Sequence, residues 1–349
     1  MLNLKNVKIA LLVQVSCLFF ACSNGSDKPE SLPAKVKDVE YAFVIHGGAG
    51  TITRENMTQE KEKDYRTALN RALDIGQNVL RQGGTAMDAV CESIKYMENS
   101  PLFNAGKGAV FTYEGRNEMD ASIMRGVDLE AGAVGGVSNI KNPINAARLV
   151  LEKSDHVMLV GKGAERFAEI NGIENAEPSY FYTQRRWNSI QRLLESEQES
   201  SMIDGKYQDY KYGTVGAVAL DKYGDIVAGT STGGMTGKKF NRIGDSPVIG
   251  AGTYANNKTC GVSCTGHGEF FIRYAVAYDV SAMMEYKGSS LETAANYVVN
   301  EKLKSVGGSG GLIALDSEGN VSMPFNTAGM YRGFVNDKER FVGIYSDEK

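Results

Sequence analysis

The chain has 349 residues, of which 42% are hydrophobic, and it carries a formal net charge of -4 at pH 7. This composition supplies enough apolar surface for a full core, in one large domain or two. Lysine and arginine are interspersed with aspartate and glutamate, so the sequence offers no basic face for nucleic acid or for an anionic membrane surface. Partners of both kinds are therefore disfavoured.

The N-terminal segment has the pattern of an export signal. A short apolar run at 9–20 follows two lysines and precedes Ala21 and Cys22. The run is too short to span a membrane and is typical of a secretory signal peptide over 1–21. A small residue before a cysteine resembles a bacterial lipoprotein signal, with Cys22 as the lipid-anchored residue; a plain cleaved signal is the alternative. We expect a polar tether over 22–40 and a location in the bacterial cell envelope, in the periplasm or at the outer membrane.

The folded part is predicted to open with a strand and then a helix. A buried strand at 41–45 runs into a glycine loop at 46–50, and helical periodicity follows over 61–82 until two glycines end it. Capping patterns predict two more helix starts, one at Thr85 with Asp88 and one at Asn142 before Pro143.

Residues 172–212 differ from the segments before them, because charged and polar residues dominate and hydrophobic periodicity is poor. We predict a mobile linker here. An apolar strand follows at 215–220, with a turn and a partner strand after it. Segments 216–235 and 311–330 align without gaps, which predicts two hairpins of one design.

Between the two hairpins, helices are predicted at 265–284 and 290–306. Blocks of hairpins thus alternate with blocks of helices, without the strict βα order of a parallel sheet, and a layered α+β fold is expected. Of the five cysteines, Cys17 and Cys22 belong to the N-terminal segment. The other three are too few and too unevenly placed for a disulfide framework, and we predict buried thiols at Cys91, Cys260 and Cys264.

Several kinds of catalytic site are disfavoured by simple counting. The three histidines, at 46, 156 and 267, are widely spaced and lack a zinc-ligand motif, so no catalytic metal is expected. Gly307, Ser309 and Gly311 match the G-x-S-x-G nucleophile elbow, but that motif needs a strand before the serine, a helix after it and a downstream histidine. We interpret the match as a glycine-rich entry to a strand.

Thr214 is the candidate nucleophile. It follows Gly213 at the junction between the predicted linker and a core strand. If the bond between the two residues is cut, the new α-amine, with an ordinary pKa of about 7.7 to 8.0, can accept the proton of the Thr214 hydroxyl. One residue then supplies both nucleophile and base. The alternative is a purely structural threonine, since threonine is common in strands.

Several motifs occur in one order along the chain. They are HGGAG at 46–50, FNAGKGAVFT at 103–112, YGTVGAVALD at 212–221, TSTGGMT at 230–236, RIGDSP at 242–247 and SCTGHGE at 263–269. With them the chain resembles the plant-type asparaginase/isoaspartyl peptidase family over nearly everything from Tyr41 to Tyr345. The resemblance implies a four-layer αββα sandwich of the N-terminal-nucleophile hydrolase type.

The resemblance also implies a role for each matching residue. Thr214 would be the nucleophile, exposed by autocleavage after Gly213, and the Thr232 hydroxyl would hydrogen-bond to it. Thr265 and the N–H of Gly266 would form the oxyanion hole. The substrate-binding positions implied are Arg242 for the α-carboxylate through its forked guanidinium, Asp245 for the α-ammonium, and Ile243, Gly244, Thr265, Gly266, His267 and Gly268.

Structural alternatives stay open for these residues. Arg242 and Asp245 could form a surface ion pair, and Thr265 could cap a helix and face Glu269. His267 departs from the family, whose asparaginase-like members carry Thr there and whose glycosylasparaginase relatives carry Asp. His267 could contact the substrate or merely cap a helix.

The family further implies a structural sodium ion, held by main-chain carbonyls between Met97 and Lys107. Asn104 in this stretch is expected near Thr214, with an Asn-Ala-Gly turn as the alternative. No cofactor is expected for catalysis.

The activity expected is that of an autoprocessing amidohydrolase, which cleaves β-aspartyl (isoaspartyl) dipeptides and L-asparagine through an ester on Thr214. One folded domain would consist of a large fragment, 41–213 with the linker 172–212, and a small fragment, 214–349. These would form an α/β heterodimer and then a dimer of heterodimers. The alternatives are a glycosylasparaginase, although that group carries Asp where this chain has Gly213, and an unprocessed lipoprotein that only binds ligands.

Overall fold

The computed structural model describes residues 39–200 and 213–348. The predicted signal peptide, nearly all of the tether and the end of the linker at 201–212 lie outside the described residues. Within the described part, two β-sheets lie against each other and no helix has the length and apolarity needed to cross a membrane.

Twelve strands are present in the described residues. They are β1 (Ala42–Gly50), β2 (Met119–Arg125), β3 (Ala131–Val137), β4 (Met158–Val160), β5 (Val215–Leu220), β6 (Ile226–Thr232), β7 (Thr253–Ala255), β8 (Cys260–Gly266), β9 (Gly310–Asp316), β10 (Val321–Ser322), β11 (Gly329–Asn336) and β12 (Arg340–Tyr345). The strands predicted at 41–45 and 215–220 are both present, and the first extends through the glycines.

The strands form one sheet in the order β12-β11-β1-β5-β6-β2-β3-β4 and a second in the order β10-β9-β8-β7. Neighbouring strands are antiparallel except β3 and β4, which are parallel. In the larger sheet β1 lies between β5 and β11, and β6 pairs with β2. Strands from before and after Gly213 therefore interleave in one hydrogen-bonded sheet.

Helices cover the outer face of each sheet. The α-helices are α1 (Gln59–Arg81), α2 (Ala86–Glu98), α3 (Pro143–Lys153), α4 (Gly161–Ile170), α5 (Pro178–Phe181), α6 (Gln184–Ser200), α7 (Gly268–Arg273), α8 (Val276–Lys287) and α9 (Leu291–Asn296), the last continued by a π-helix at Tyr297–Leu303. Short 3-10 turns lie at Arg54–Asn56 and Gly106–Gly108. Helices α1 to α4 pack on the larger sheet and α7 to α9 on the smaller one, which confirms the αββα sandwich.

The hydrophobic pattern explains how α1 is held on the larger sheet. Leu69, Leu73 and Leu80 repeat at helical spacing and are buried against the strands. Burial of one such side chain stabilises the fold by roughly 1.5 to 3 kcal/mol. A second apolar layer lies between the two sheets, where Val218 of β5 and Ile313 of β9 belong to the same buried cluster. The interior strands are apolar on both faces because both faces are covered.

The capping predictions have different outcomes. Thr85 caps α2, since its hydroxyl accepts from the Asp88 N–H at 3.1 Å. Asn142 occupies the N-cap position of α3 but its side chain does not cap; it donates to Asn99 Oδ1 at 3.1 Å instead. The three cysteines are buried and free, as predicted.

The mobile linker predicted over 172–212 is corrected in its first part, where α5 and α6 lie. Their anchors, Phe181 and Ile190, are fully buried, and Trp187 packs edge-on against Phe111 with ring centroids 5.2 Å apart. A few apolar residues three or four positions apart are enough to dock a helix whose other faces are charged. Hydrophobic periodicity predicts such a helix poorly, because most of its residues are polar.

Two further boundaries differ from the predictions. The glycine loop expected at 46–50 belongs to β1, which continues through a register shift between His46 and Gly48. The helix expected over 265–284 starts only at Gly268, because the residues before it extend β8, and it is interrupted at Ala275, which has a φ of 47°. Thr265 is therefore a strand residue, and the helix-cap alternative for it is wrong.

Candidate active site

Thr214 and Thr232 meet at the open end of the β5–β6 hairpin. Val215 pairs with Ser231. This register places Thr214, which precedes Val215, beside Thr232, which follows Ser231. The Thr214 hydroxyl donates to Thr232 Oγ1 at 3.1 Å, and only 6% of the Thr214 surface is exposed. Two hydroxyl groups are thus held in contact by strand register alone, inside the protein.

The carbonyl group of Gly213 lies in the same cluster. Its oxygen accepts from Asn104 Nδ2 at 2.7 Å and from the Thr232 hydroxyl at 3.1 Å. Asn104 is fixed in turn, since its amide donates to Gly234 O at 2.7 Å and accepts from the Val110 N–H at 2.9 Å. Two donors on one peptide carbonyl polarise it and can stabilise negative charge on its oxygen.

His46 holds the carbonyl of Thr214 from the opposite side. Its Nδ1 lies 3.1 Å from Thr214 O, so Nδ1 carries the hydrogen, and its Nε2 accepts from the Ser263 hydroxyl at 3.0 Å. Complete burial lowers the pKa of His46 to about 3, and the ring is neutral at physiological pH. Hydroxyl groups extend this chain from Ser263 to Thr230 at 2.7 Å.

A space beside His46 exists because residue 216 is glycine. A Cβ there would lie 2.0 Å from Ser263 Oγ and 2.4 Å from His46 Nε2. His46 belongs to the HGGAG motif at 46–50, but its role is not predictable from that motif. Ser263, its partner, is 217 positions away, and only the pairing of β1 with β5 and the packing of β8 beneath them bring the two together.

A small pocket adjoins the threonine pair. It is lined by Gly213, Thr214, Thr232, Gly234, Arg242, Gly244, Asp245, Ser246 and Gly266, and its free volume is about 10 Å³. Asp245 is 4% exposed, and its Oδ2 has no hydrogen-bond partner among the residues that the structure describes. Burial raises the pKa of Asp245 to about 7, against the opposing effect of the Arg242 charge. A buried and unsatisfied carboxyl oxygen is a site prepared for a cation.

The Arg242 guanidinium has an acidic partner, Glu269, that was not predicted from the sequence. Its Nε and Nη2 both donate to Glu269, each at 2.8 Å, so the planar fork grips this carboxylate. The surface ion pair considered for Arg242 and Asp245 is wrong, because Asp245 is buried and Arg242 pairs with Glu269. Nη1 of Arg242 points toward Gly244, where a Cβ would lie 2.7 Å from it.

The other predicted residues border this pocket or lie close by. Thr265 Oγ1 accepts from the Ala49 N–H at 3.3 Å, which leaves the hydroxyl hydrogen available for donation. Gly266 has no room for a side chain, since a Cβ would lie 2.5 Å from Ser309 O. At Gly268 a Cβ would lie 2.8 Å from Arg242 Nη2. Ile243 is directed elsewhere, toward Gly135 of β3.

His267 lies at the start of α7, but its side chain does not cap that helix. Its Nε2 is 3.4 Å from Glu269 Oε2, and its ring packs edge-on against Phe270 with centroids 4.8 Å apart. Burial lowers the pKa of His267, with Glu269 opposing the shift. Of the two alternatives for this residue, the helix cap is therefore wrong.

Metal-binding side chains do not cluster in the described residues, where no three His, Cys, Asp or Glu residues could hold an ion. Main-chain carbonyl oxygens lie close to two glycines of the loop before β2. A Cβ at Gly106 would lie 2.4 Å from Glu98 O, and a Cβ at Gly108 would lie 1.9 Å from Phe103 O. Each of the two positions therefore admits only glycine, and the chain turns tightly beside these main-chain oxygens.

Comparison with known proteins gives a consistent result. The family model described as asparaginase matches residues 39–344. An isoaspartyl peptidase of Escherichia coli is 51% identical, over 88% of this chain and 96% of that protein. A putative isoaspartyl peptidase/L-asparaginase of Dictyostelium discoideum is 50% identical, over 86% of this chain and 97% of that protein. A plant-type L-asparaginase of Pyrococcus horikoshii is 42% identical, over 85% and 96%.

Proposed function

The chain belongs to the asparaginase family, and on that premise we propose that it is an isoaspartyl peptidase and L-asparaginase whose nucleophile is Thr214. The proposal has two stages, a single cleavage of the chain by itself and then repeated hydrolysis of substrate. The observation that carries it is that Thr232 contacts both the Thr214 hydroxyl and the Gly213 carbonyl oxygen.

The first stage is an acyl shift at the bond between Gly213 and Thr214. The Thr214 hydroxyl oxygen attacks the Gly213 carbonyl carbon, while Asn104 and Thr232 stabilise the charge on the carbonyl oxygen. The hydroxyl proton passes to the Thr214 nitrogen, the C–N bond breaks, and Gly213 is left as an ester on Thr214. Water hydrolyses the ester to a Gly213 carboxylate, a free hydroxyl and a free α-amine.

Substrate then binds in the small pocket. Asp245 pairs with the α-ammonium of an aspartyl group, since its buried carboxyl oxygen has no other partner in the described structure. Arg242 attracts the α-carboxylate through Nη1, because Glu269 already occupies the other side of its guanidinium. The two charges together favour a zwitterionic aspartyl group over a neutral acyl chain.

Turnover uses the groups that cleavage has released. The Thr214 α-amine takes the hydroxyl proton, the oxygen attacks the side-chain amide carbonyl of the substrate, and Thr265 with the Gly266 N–H stabilises the oxyanion. The leaving amine departs with a proton, which leaves a β-aspartyl ester. Water, activated by the same α-amine, hydrolyses this ester and restores Thr214.

The proposal extends to assembly and location. Strands from both fragments interleave in the larger sheet, which supports an α/β heterodimer that stays together after cleavage, and we propose a dimer of such heterodimers. The carbonyls between Met97 and Lys107 are the proposed site of a structural sodium ion. The N-terminal pattern supports export and a lipid anchor at Cys22.

Denaturing gels and intact-mass measurement test the proposal directly. Purified protein is expected to yield a fragment that begins at Thr214, and the processed protein is expected to hydrolyse β-Asp-Leu and asparagine. A full-length chain with no such fragment would contradict the mechanism. Faster hydrolysis of GlcNAc-asparagine than of either substrate would instead favour the glycosylasparaginase alternative.

A further inference from the structure

A second and larger cavity opens on the other side of Gly213. Its volume is about 480 Å³, within the usual size range of small-molecule sites. Four cationic side chains line it, and none of its described lining residues is acidic. We refer to it as the cationic cavity, and its cations are Lys61, Arg185, Arg186 and Arg192.

Arg185 and Arg186 are held in this cavity by neutral groups. Arg185 donates to the Tyr65 hydroxyl at 2.9 Å and to Leu102 O at 2.7 Å. Arg186 donates through Nε to Gly108 O at 2.8 Å, and its two terminal nitrogens have no partner in the part of the chain that the structure describes. Neither arginine has an acidic side chain within 4.0 Å among those residues.

Two adjacent arginines with no acidic partner among the described residues are unusual in a partly enclosed space. Burial and the neighbouring charge of Arg185 lower the pKa of Arg186 to about 10, so it remains cationic at pH 7. Desolvated positive charge is costly unless an anion accompanies it. The geometry therefore points to an anionic ligand group, and a planar carboxylate matches the two terminal nitrogens of a guanidinium.

The cationic cavity and the small pocket meet at the reacting atoms. Gly213 and Gly266 line both, the first before the nucleophile and the second at the proposed oxyanion hole. An acyl group whose aspartyl part occupies the small pocket must direct its leaving group away from Asp245. The space available there is the cationic cavity.

We propose that Arg185 and Arg186 form a subsite for the α-carboxylate of the leaving amino acid, which selects β-aspartyl dipeptides with a free C-terminal carboxylate. This inference rests on the proposed function. Asparagine, which releases ammonia, leaves the subsite unused, and a β-aspartyl amide places no charge in it. The arginines thus act on the choice of leaving group.

Substrate comparison on the processed wild-type enzyme tests this without any mutation. Charge-assisted hydrogen bonds predict that kcat/KM for β-Asp-Leu exceeds that for β-Asp-leucinamide by about tenfold, mainly through KM. Equal values for the two peptides would overturn the subsite. Failure to hydrolyse any β-aspartyl compound, asparagine included, would instead contradict the proposed function itself.

Variants separate recognition from a structural effect at Gly108. Arg186→Gln is expected to lower kcat/KM for β-Asp-Leu by about tenfold and to leave asparagine and β-Asp-leucinamide within twofold of wild type. Arg186→Lys should recover part of the loss, since it keeps the charge but not the fork. Arg166→Gln, on the exposed face of α4, is the matched control and should change nothing. An equal loss on all three substrates would show that Arg186 only supports the loop, and the proposal would be wrong.

Discussion

Two hairpins of this chain, β5–β6 in the larger sheet and β9–β10 in the smaller, are each entered through a glycine and a hydroxyl residue. In the first hairpin these are Gly213 and Thr214, and in the second they are Gly308 and Ser309. The carbonyl of the glycine accepts from an asparagine amide in both, from Asn104 at 2.7 Å and from Asn326 at 3.1 Å. The two hairpins differ in a second hydroxyl group, that of Thr232, which contacts Thr214 in the first hairpin.

Strand length accounts for the difference. In the first hairpin β6 continues to Thr232, which therefore lies beside Thr214 and reaches the Gly213 carbonyl. In the second hairpin β10 ends at Ser322, and the hydroxyl of Thr327, the counterpart of Thr232, donates to Gly329 O. If Gly213–Thr214 is cleaved as proposed, a glycine, a hydroxyl and an asparagine are not sufficient for a reactive bond, and we infer that the continued strand supplies the further hydroxyl group that it needs.

The strongest way to break this comparison is to exchange the two hydroxyl residues for alanine separately. Thr214→Ala should remain a single chain and lose at least about 10⁴-fold in kcat, because nucleophile and base disappear together. Ser309→Ala should be processed and stay within threefold of wild-type activity. Intact-mass spectra and β-Asp-Leu hydrolysis measure both, and processing of Thr214→Ala would refute the assignment.

Asp245 gives a second test of the comparison between the hairpins, because the pocket beside the first hairpin contains this buried carboxyl group. Asp245→Asn should lower kcat/KM by about 10²- to 10³-fold through loss of the ammonium partner. The folded-state pKa of about 7 exceeds the ordinary value of 3.8, so this carboxyl lowers the stability of the fold progressively as pH rises from 3.8 to about 7, and the full loss is present above pH 7. The variant should therefore be more stable at pH 8, by as much as about 4 kcal/mol, in denaturant titrations.

The same carboxyl gives the reaction a pH dependence. Asp245 binds an ammonium only when ionised, so kcat/KM should fall as pH decreases below about 7. The Thr214 amine must also lose its proton, and the two requirements together make the acid limb steeper than tenfold per pH unit. In Asp245→Asn the limb should return to a slope of one. An unchanged slope in that variant would assign the second titration to another group.

Removal of the second hydroxyl is expected to have a moderate effect. Thr232→Val deletes a donor to the Gly213 carbonyl at nearly constant shape, and should slow self-cleavage by about 10²-fold. Thr327→Val, its counterpart, should process normally. Time courses on denaturing gels after synthesis compare the two, and equal rates would remove strand length as the explanation.

His46 produces the smallest expected change. It supports the Thr214 carbonyl through a side chain, whereas the Ser309 carbonyl accepts from the main-chain N–H of His267 at 2.9 Å. His46→Gln should lower kcat by about tenfold and leave the pH profile unchanged, because a histidine with a pKa of about 3 does not titrate in the working range. A shifted profile would make His46 part of the proton transfer.

The sequence was informative where the determinants are local. The hairpin of Thr214 and the cap at Thr85 depend on residues close together in the chain, and so does each single motif. Contacts between distant elements were not predictable. Examples are the hydrogen bond between His46 and Ser263 and the bidentate pairing of Arg242 with Glu269. Helix α6 was missed because its apolar positions are few among charged residues.

The small pocket beside Thr214 has room for little more than a single water molecule in the uncut chain. An aspartyl zwitterion is larger than this space, so on the proposed mechanism the pocket becomes available to substrate once the bond after Gly213 is cut. On the proposed mechanism, the newly synthesised polypeptide is therefore a latent zymogen. Its conversion by the proposed acyl shift is a unimolecular event, and we expect its half-life to be independent of protein concentration.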